Sequence, residues 1–230
     1  AAPALAQAAP APVSVAVGDS AVDGSRVRPA RASFAWEIVR GEGSTPVGTL
    51  TDEVSVVQSG GRPALLRVLS LQSARGALID STVSDARTLA PISQRSTQPR
   101  RSIALTFERG RMTGSVTPVG GAPVKVDTAG AVPAFDSSSW DLVLRALPLR
   151  EGLSVRYAVF DVDLPGQTWY SARVTGVERP AGAAGDAWRV ETERGDGHQA
   201  TVWIDRATRE VVQVEAQMGP GVLLRQTRQR

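Results

Sequence analysis

His198 is the only histidine in the chain. A Ser-His-acid triad or a histidine metal site would have to be built on it. It stands just after the turn-forming RGDG of 194–197, where a lone histidine is expected at the surface. Asp161 and Asp163 come next. Two apart on a strand, they would point to one face and could share a cation or act as paired carboxylates. No third acid is nearby in sequence. There is no cysteine, which excludes disulfides, thiolate metal sites and a cysteine nucleophile. No catalytic, cofactor-binding or metal-binding set emerges, so the expectation is a protein without a cofactor that is not an enzyme.

Three short motifs reduce to turns and strands. "GEGSTPVG" at 41–48 has the glycines of a phosphate loop but neither its lysine nor a following helix. "DTAG" at 127–130 differs from an aspartic-protease loop by an inserted alanine and has no second copy. Arg194-Gly195-Asp196 matches an adhesion tripeptide, a combination that a chain rich in Arg and Gly produces by chance.

The 230 residues are enough for a sizeable core, and 26 basic against 23 acidic residues leave a net charge of only +3. Lys125 is the only lysine. The arginines are scattered singly apart from Arg100-Arg101 and Arg225, Arg228 and Arg230. They form no basic stripe with interleaved aromatics, so nucleic acid is not an expected partner. Five tryptophans, at 36, 140, 169, 188 and 203, suit either a solid core or the wall of an apolar cavity. Composition does not separate the two, because cores and cavity walls draw on the same residues.

Residues 1–31 read as an extended Ala/Pro-rich arm without apolar periodicity. Ala6-Gln7-Ala8 has the small-x-small pattern that ends a secretory signal, and Pro3, Pro10 and Pro12 argue against a membrane span. Residues 32–230 read as a single domain. From Ser33 onward apolar residues alternate with polar ones in short segments separated by Gly- and Pro-rich turns, which predicts about ten antiparallel strands in a meander. One segment differs: "SSSWDLVLRALPLREG" at 137–152. Trp140, Val143, Leu144 and Leu147 fall at i, i+3, i+4 and i+7, one stripe of a helix over about 137–147. Ser138 and Asp141 suit a capping box, and Pro148 a stop. A long antiparallel sheet with an uncovered dry face must curl around something. The expected fold is therefore mainly β, a half-open barrel wrapped around this helix as its plug.

The order of Val47-Gly48, "RTLAPI" at 87–92, "VLRALPLREG" at 143–152 and "VWIDRATREVVQVEAQ" at 202–217 resembles a bacterial family of exported proteins of unknown function. The resemblance implies a fold like that of the periplasmic lipoprotein carriers, a strongly curved antiparallel sheet around a helical plug, and a periplasmic location. Two functions are then expected. The first is a non-catalytic accessory or scaffolding subunit of a larger envelope or membrane complex, held to its protein partner through the arm. Its contacts would be Pro10, Pro12, Val13, Val15 and Val17, with Arg26 and Arg28 at the base, and the domain's stability would not depend on the arm. The alternative is a carrier or binding protein for a lipid, lipoprotein or other hydrophobic ligand, with an apolar cavity under the helix at Trp140, Val143, Leu144 and Leu147.

Overall fold

A computed structural model describes residues 11–180 and 183–229. A short strand β1 (Val13–Val15) precedes a meander of eight: β2 (Ala30–Arg40), β3 (Gly43–Ser59), β4 (Arg62–Ser73), β5 (Gly76–Asp85), β6 (Pro91–Thr97), β7 (Arg101–Glu108), β8 (Arg111–Pro118) and β9 (Val124–Ala129). After β10 (Phe135–Asp136) comes a 3-10 turn at Ser137–Ser139 and the helix α1 (Trp140–Ala146). A second meander follows: β11 (Ser154–Phe160), β12 (Gln167–Glu178), β13 (Ala187–Glu193), β14 (Gln199–Asp205), β15 (Val211–Gly219) and β16 (Val222–Arg228). Turn chemistry makes these antiparallel neighbours. Gly60-Gly61 and Arg109-Gly110 both carry two consecutive positive φ angles, the conformation whose twist matches that of the flanking strands.

Among the described residues sixteen strands belong to one sheet, six more than the ten expected, and two of these, β1 and β10, are too short to leave a pattern. The last strand closes onto the first meander: β16 runs antiparallel to β2, from Val222 opposite Arg40 to Arg228 opposite Phe34. The sheet stays open, with β9 at one edge and β1 and β10 at the other, both added in parallel to β11. It is nonetheless strongly curled. Ile103, Leu105, Phe107 and Met112 of β7 and β8 pack against Ala158 and Phe160 of β11, although those strands lie far apart in the strand order.

The helix lies inside this curl and is enclosed on all sides. Leu142, Val143, Leu144, Ala146 and Leu147 are buried, as are its polar residues Asp141 and Arg145. The expected capping box does not form. Asp136 Oδ1 accepts from the Ser138 backbone N–H at 3.0 Å, and Ser139 at the helix start makes no side-chain cap. Asp141 is instead turned toward the sheet, where a buried arginine outcompetes a solvated cap as its partner. At the other end Leu147 N–H donates to Leu144 O at 3.2 Å before Pro148 ends the helix.

The segment read as an arm is part of the same core from Val13 onward. β1 pairs Val13, Ser14 and Val15 with Val155, Arg156 and Tyr157. Val15, Val22 and Val27 are buried in the main hydrophobic cluster, with Val17 packed against it. Arg26 donates to Ala146 O at 2.7 Å, satisfying a carbonyl at the helix C-terminus. Gly24 sits so close to the β5–β6 connection that a Cβ would lie 2.3 Å from Ala86 O. The independence of arm and domain is thus corrected for residues 13–27: three valines at irregular spacing carry no strand or helix period, yet each is buried. Pro3, Ala6-Gln7-Ala8 and Pro10 lie outside the described residues.

Candidate functional site

Inward-facing residues form rungs across the first meander, because cross-strand partners share a face. The first is apolar: Phe34, Leu50, Leu71 and Leu78 stand opposite one another in turn on β2 to β5. The next is mixed, Ala32, Asp52, Leu69, Asp80 and Ser96. The third is mostly polar, Val54, Arg67, Thr82 and Gln94. Polarity therefore rises along the strands toward the start of the helix.

Above these rungs lies a cleft of about 610 Å³, open to solvent. Its apolar wall comes from Phe34, Trp36, Leu50, Leu69, Leu71 and Leu78 on one side and Val211, Val214 and Met218 of β15 on the other. Trp140 enters it from the helix. The polar end is made by the helix start, by the turn after β11, and by the segment from Thr192 to Gln199. Trp36 Nε1 is buried and has no hydrogen-bond partner among the described residues.

Arg67 anchors the floor. Its Nε and Nη2 donate to the two Asp52 oxygens at 2.9 and 2.8 Å. Its Nη1 and Nη2 donate to the two Asp141 oxygens at 2.5 and 3.1 Å, and Nη1 also reaches Ser138 O at 3.1 Å. All five guanidinium protons are thus used, which is what burial of this charge requires. The neighbouring Arg67 holds the Asp52 carboxyl below its usual range against the opposing effect of burial. Beside this triad Gln94 donates to the Ser138 hydroxyl at 2.5 Å, and Ser139 donates to Thr82 at 3.2 Å. Burial pushes the Asp80 carboxyl up. Asp136, fully enclosed and with Oδ2 unpartnered among the described residues, is pushed up to about 7, chiefly by burial and also by Asp80 and Asp161 nearby.

The structure separates the residues singled out in sequence. His198 lines the mouth of the cleft, with its imidazole largely exposed and Nδ1 3.0 Å from Asp196. Asp161 and Asp163 do not share a strand, since β11 ends at Phe160 and both lie in the following turn. There Asp161 Oδ1 accepts from the Asp163 backbone N–H at 3.0 Å, while Oδ2 accepts from the Tyr170 hydroxyl at 3.0 Å and faces Arg194 at 3.4 Å. Asp163 is held bidentately by Arg101. Each carboxylate has its own arginine, so the paired-cation reading is not what this turn builds. Among the described residues no group of three or more His, Cys, Asp or Glu is arranged to hold a metal ion. The Arg194-Gly195-Asp196 turn is docked, with Gly195 against Thr168.

Of the four helix residues expected under a cavity, Trp140 lines the cleft and Val143, Leu144 and Leu147 do not. The last three fill the solid core between helix and sheet, because the helix is enclosed rather than perched over a void. The tryptophans divide likewise. Trp36 and Trp140 face the cleft, and Trp188 packs partly on the core with Arg206 stacked 4.8 Å from its ring centroid. Trp203 donates to Glu178 at 3.1 Å, and the half-exposed Trp169 carries Arg156 4.9 Å from its ring centroid. Of the arm residues, Pro12, Val13 and Arg28 are exposed, Val15 is buried, and Val17 and Arg26 are half-buried.

Arg67, Asp52 and Asp80 were missed in sequence, yet each left a trace. In Leu65-Arg67-Leu69-Leu71, Leu50-Asp52-Val54 and Leu78-Asp80-Thr82 a charged residue takes an inward place in an apolar alternation.

Residues 23–225 match the family described as "Protein of unknown function (DUF3108)", and the chain belongs to that family. Among curated proteins none matches it.

Proposed function

We propose that this protein is a non-catalytic binding protein of the periplasm whose cleft takes the apolar part of a lipid, lipoprotein or other hydrophobic molecule. The observation that carries the reading is the cleft itself. A volume of about 610 Å³ lies within the range that holds a small ligand, and its wall combines aliphatic side chains with Trp36 and Trp140. The Nε1 of Trp36, without a partner among the described residues, is a donor that a ligand oxygen would satisfy. The resemblance to an exported family of unknown function, which implies a carrier-like curved sheet around a helical plug, favours the same reading and the same compartment. No helix among the described residues is long and apolar enough to cross a membrane. The test is native mass spectrometry of protein purified gently from its own envelope. A bound apolar species is expected, and protein that emerges repeatedly as bare polypeptide argues against the reading.

A second reading, an accessory subunit of an envelope or membrane protein complex, draws on β1. This strand pairs with β11 on one side and forms the end of the strand order. Val13 there is 63% exposed. Such an edge offers unpaired backbone groups to an added strand. Co-purification of a protein partner that is lost when Val13 is replaced by proline would favour this role.

A further inference from the structure

The cleft is acidic on a protein that is not. Its lining carries six carboxylates, Asp52, Asp80, Asp141, Asp161, Asp163 and Glu193, against the guanidinium groups of Arg67 and Arg194, with His198 at the mouth. The whole chain, by contrast, has a net charge of +3. Four of the six carboxylates are already matched: Asp52 and Asp141 by Arg67, Asp161 by Arg194, and Asp163 by Arg101. Glu193 is exposed at the end of β13. Asp80 is different. It is partly buried, its polar contacts are a long 3.5 Å approach from Gln94 Nε2 and the Ser138 hydroxyl, and Arg67 acts on it only from beyond salt-bridge distance, so that among the described residues it forms no salt bridge. Its cross-strand partners are Leu69 and Ser96, and the next inward rung is Leu71–Leu78. A carboxylate without a salt-bridge partner thus sits where the apolar wall meets the polar end.

Resting on the binding role proposed above, we infer that the ligand is a cationic amphiphile whose positive head pairs with Asp80 and whose apolar body lies along Leu50, Leu71, Leu78 and Phe34. A carboxylate partly held out of water without a salt bridge is unfavourable, and a cation bound against it reduces that penalty. The raised proton affinity of Asp80, caused first by burial, is the same cost expressed toward protons. Trp36 and Trp140 in the same cleft add faces to which ammonium or guanidinium groups are attracted. An anionic head would meet an excess of carboxylates instead.

The head group can be tested with one tail. Full-length protein is titrated calorimetrically with decyltrimethylammonium, decyl maltoside and decyl sulfate, each below its micelle concentration. The cation is expected to bind about tenfold more tightly than the neutral maltoside, the scale of one charge-assisted contact, with the sulfate weakest. Asp80→Asn, shown by circular dichroism and melting to be folded, should bring the cation to within about twofold of the maltoside, while Asp80→Glu retains a preference. Equal affinities for the three heads in the wild type, or a preference that survives Asp80→Asn, overturns the inference. Binding of the maltoside then still leaves the cleft as an apolar site, whereas failure of all three detergents to bind removes the binding role as well.

Discussion

Arg67 and Asp141, 74 residues apart in sequence, are joined by two hydrogen bonds of 2.5 and 3.1 Å that tie the middle of β4 to the helix. Both residues are buried. With Asp52 completing the set, this ion group is the charged link between plug and sheet, beside the neutral contacts Gln94–Ser138 and Ser139–Thr82, while Val143, Leu144 and Leu147 supply the apolar one.

Removing Arg67 strands two buried carboxylates. Arg67→Ala is expected to destabilise the protein by roughly 3–5 kcal/mol, the usual cost of breaking a buried pair from one side, read as a lower urea midpoint. Asp141→Asn should cost less, because one acceptor oxygen remains. In the double variant the two losses should fall well short of adding, as expected for directly bonded partners.

Asp136 gives a dependence on pH. Its folded value of about 7 lies above the 3.8 of an ordinary aspartate. Between those values the folded chain holds a proton that the unfolded chain has released, so this group's contribution is full below about 3.8 and is lost as pH rises through about 7. Asp136→Asn should therefore gain stability relative to wild type on going from pH 5 to pH 8. Denaturation curves at the two pH values, showing the same difference between the proteins at both, would remove Asp136 as the source.

Truncation distinguishes arm from core. Deleting residues 1–12 is expected to leave the melting temperature nearly unchanged, since Ala11 and Pro12 are exposed. Deleting through Val27 removes three buried valines and the Arg26 contact to the helix end, and should lower it sharply or prevent folding. Val22→Ala alone should cost roughly 1–3 kcal/mol.

Much of the fold was legible because sheet and helix impose different periods. Ile103, Leu105 and Phe107 alternate and are all buried in β7, and the stripe Val143, Leu144, Leu147 is buried in or beside the helix. What hid was tertiary in origin. Nothing local says that Asp141 will leave a cap for an arginine 74 residues away, and Asp80 has the same composition context whether it faces solvent or a cleft. Irregular segments were the other blind spot. Val15, Val22 and Val27 are spaced by seven and five residues in a chain without a repeating structure, so only the packed molecule reveals that they share a core. Of the expected cavity residues Trp140 alone reached the cleft, because a stripe identifies the buried side of a helix without telling a void from a filled interior.

The central claim, that the cleft receives an apolar chain, is tested most directly by tryptophan quenching with a nonionic amphiphile carrying bromine on its tail. In the wild type, quenching is predicted to saturate as the cleft fills, because Trp36 and Trp140 line it. In Trp36→Phe/Trp140→Phe the saturable part should vanish, since the remaining Trp169, Trp188 and Trp203 do not line it. If the double variant is quenched to the same fraction over the same concentrations, the chain binds elsewhere and the account is contradicted.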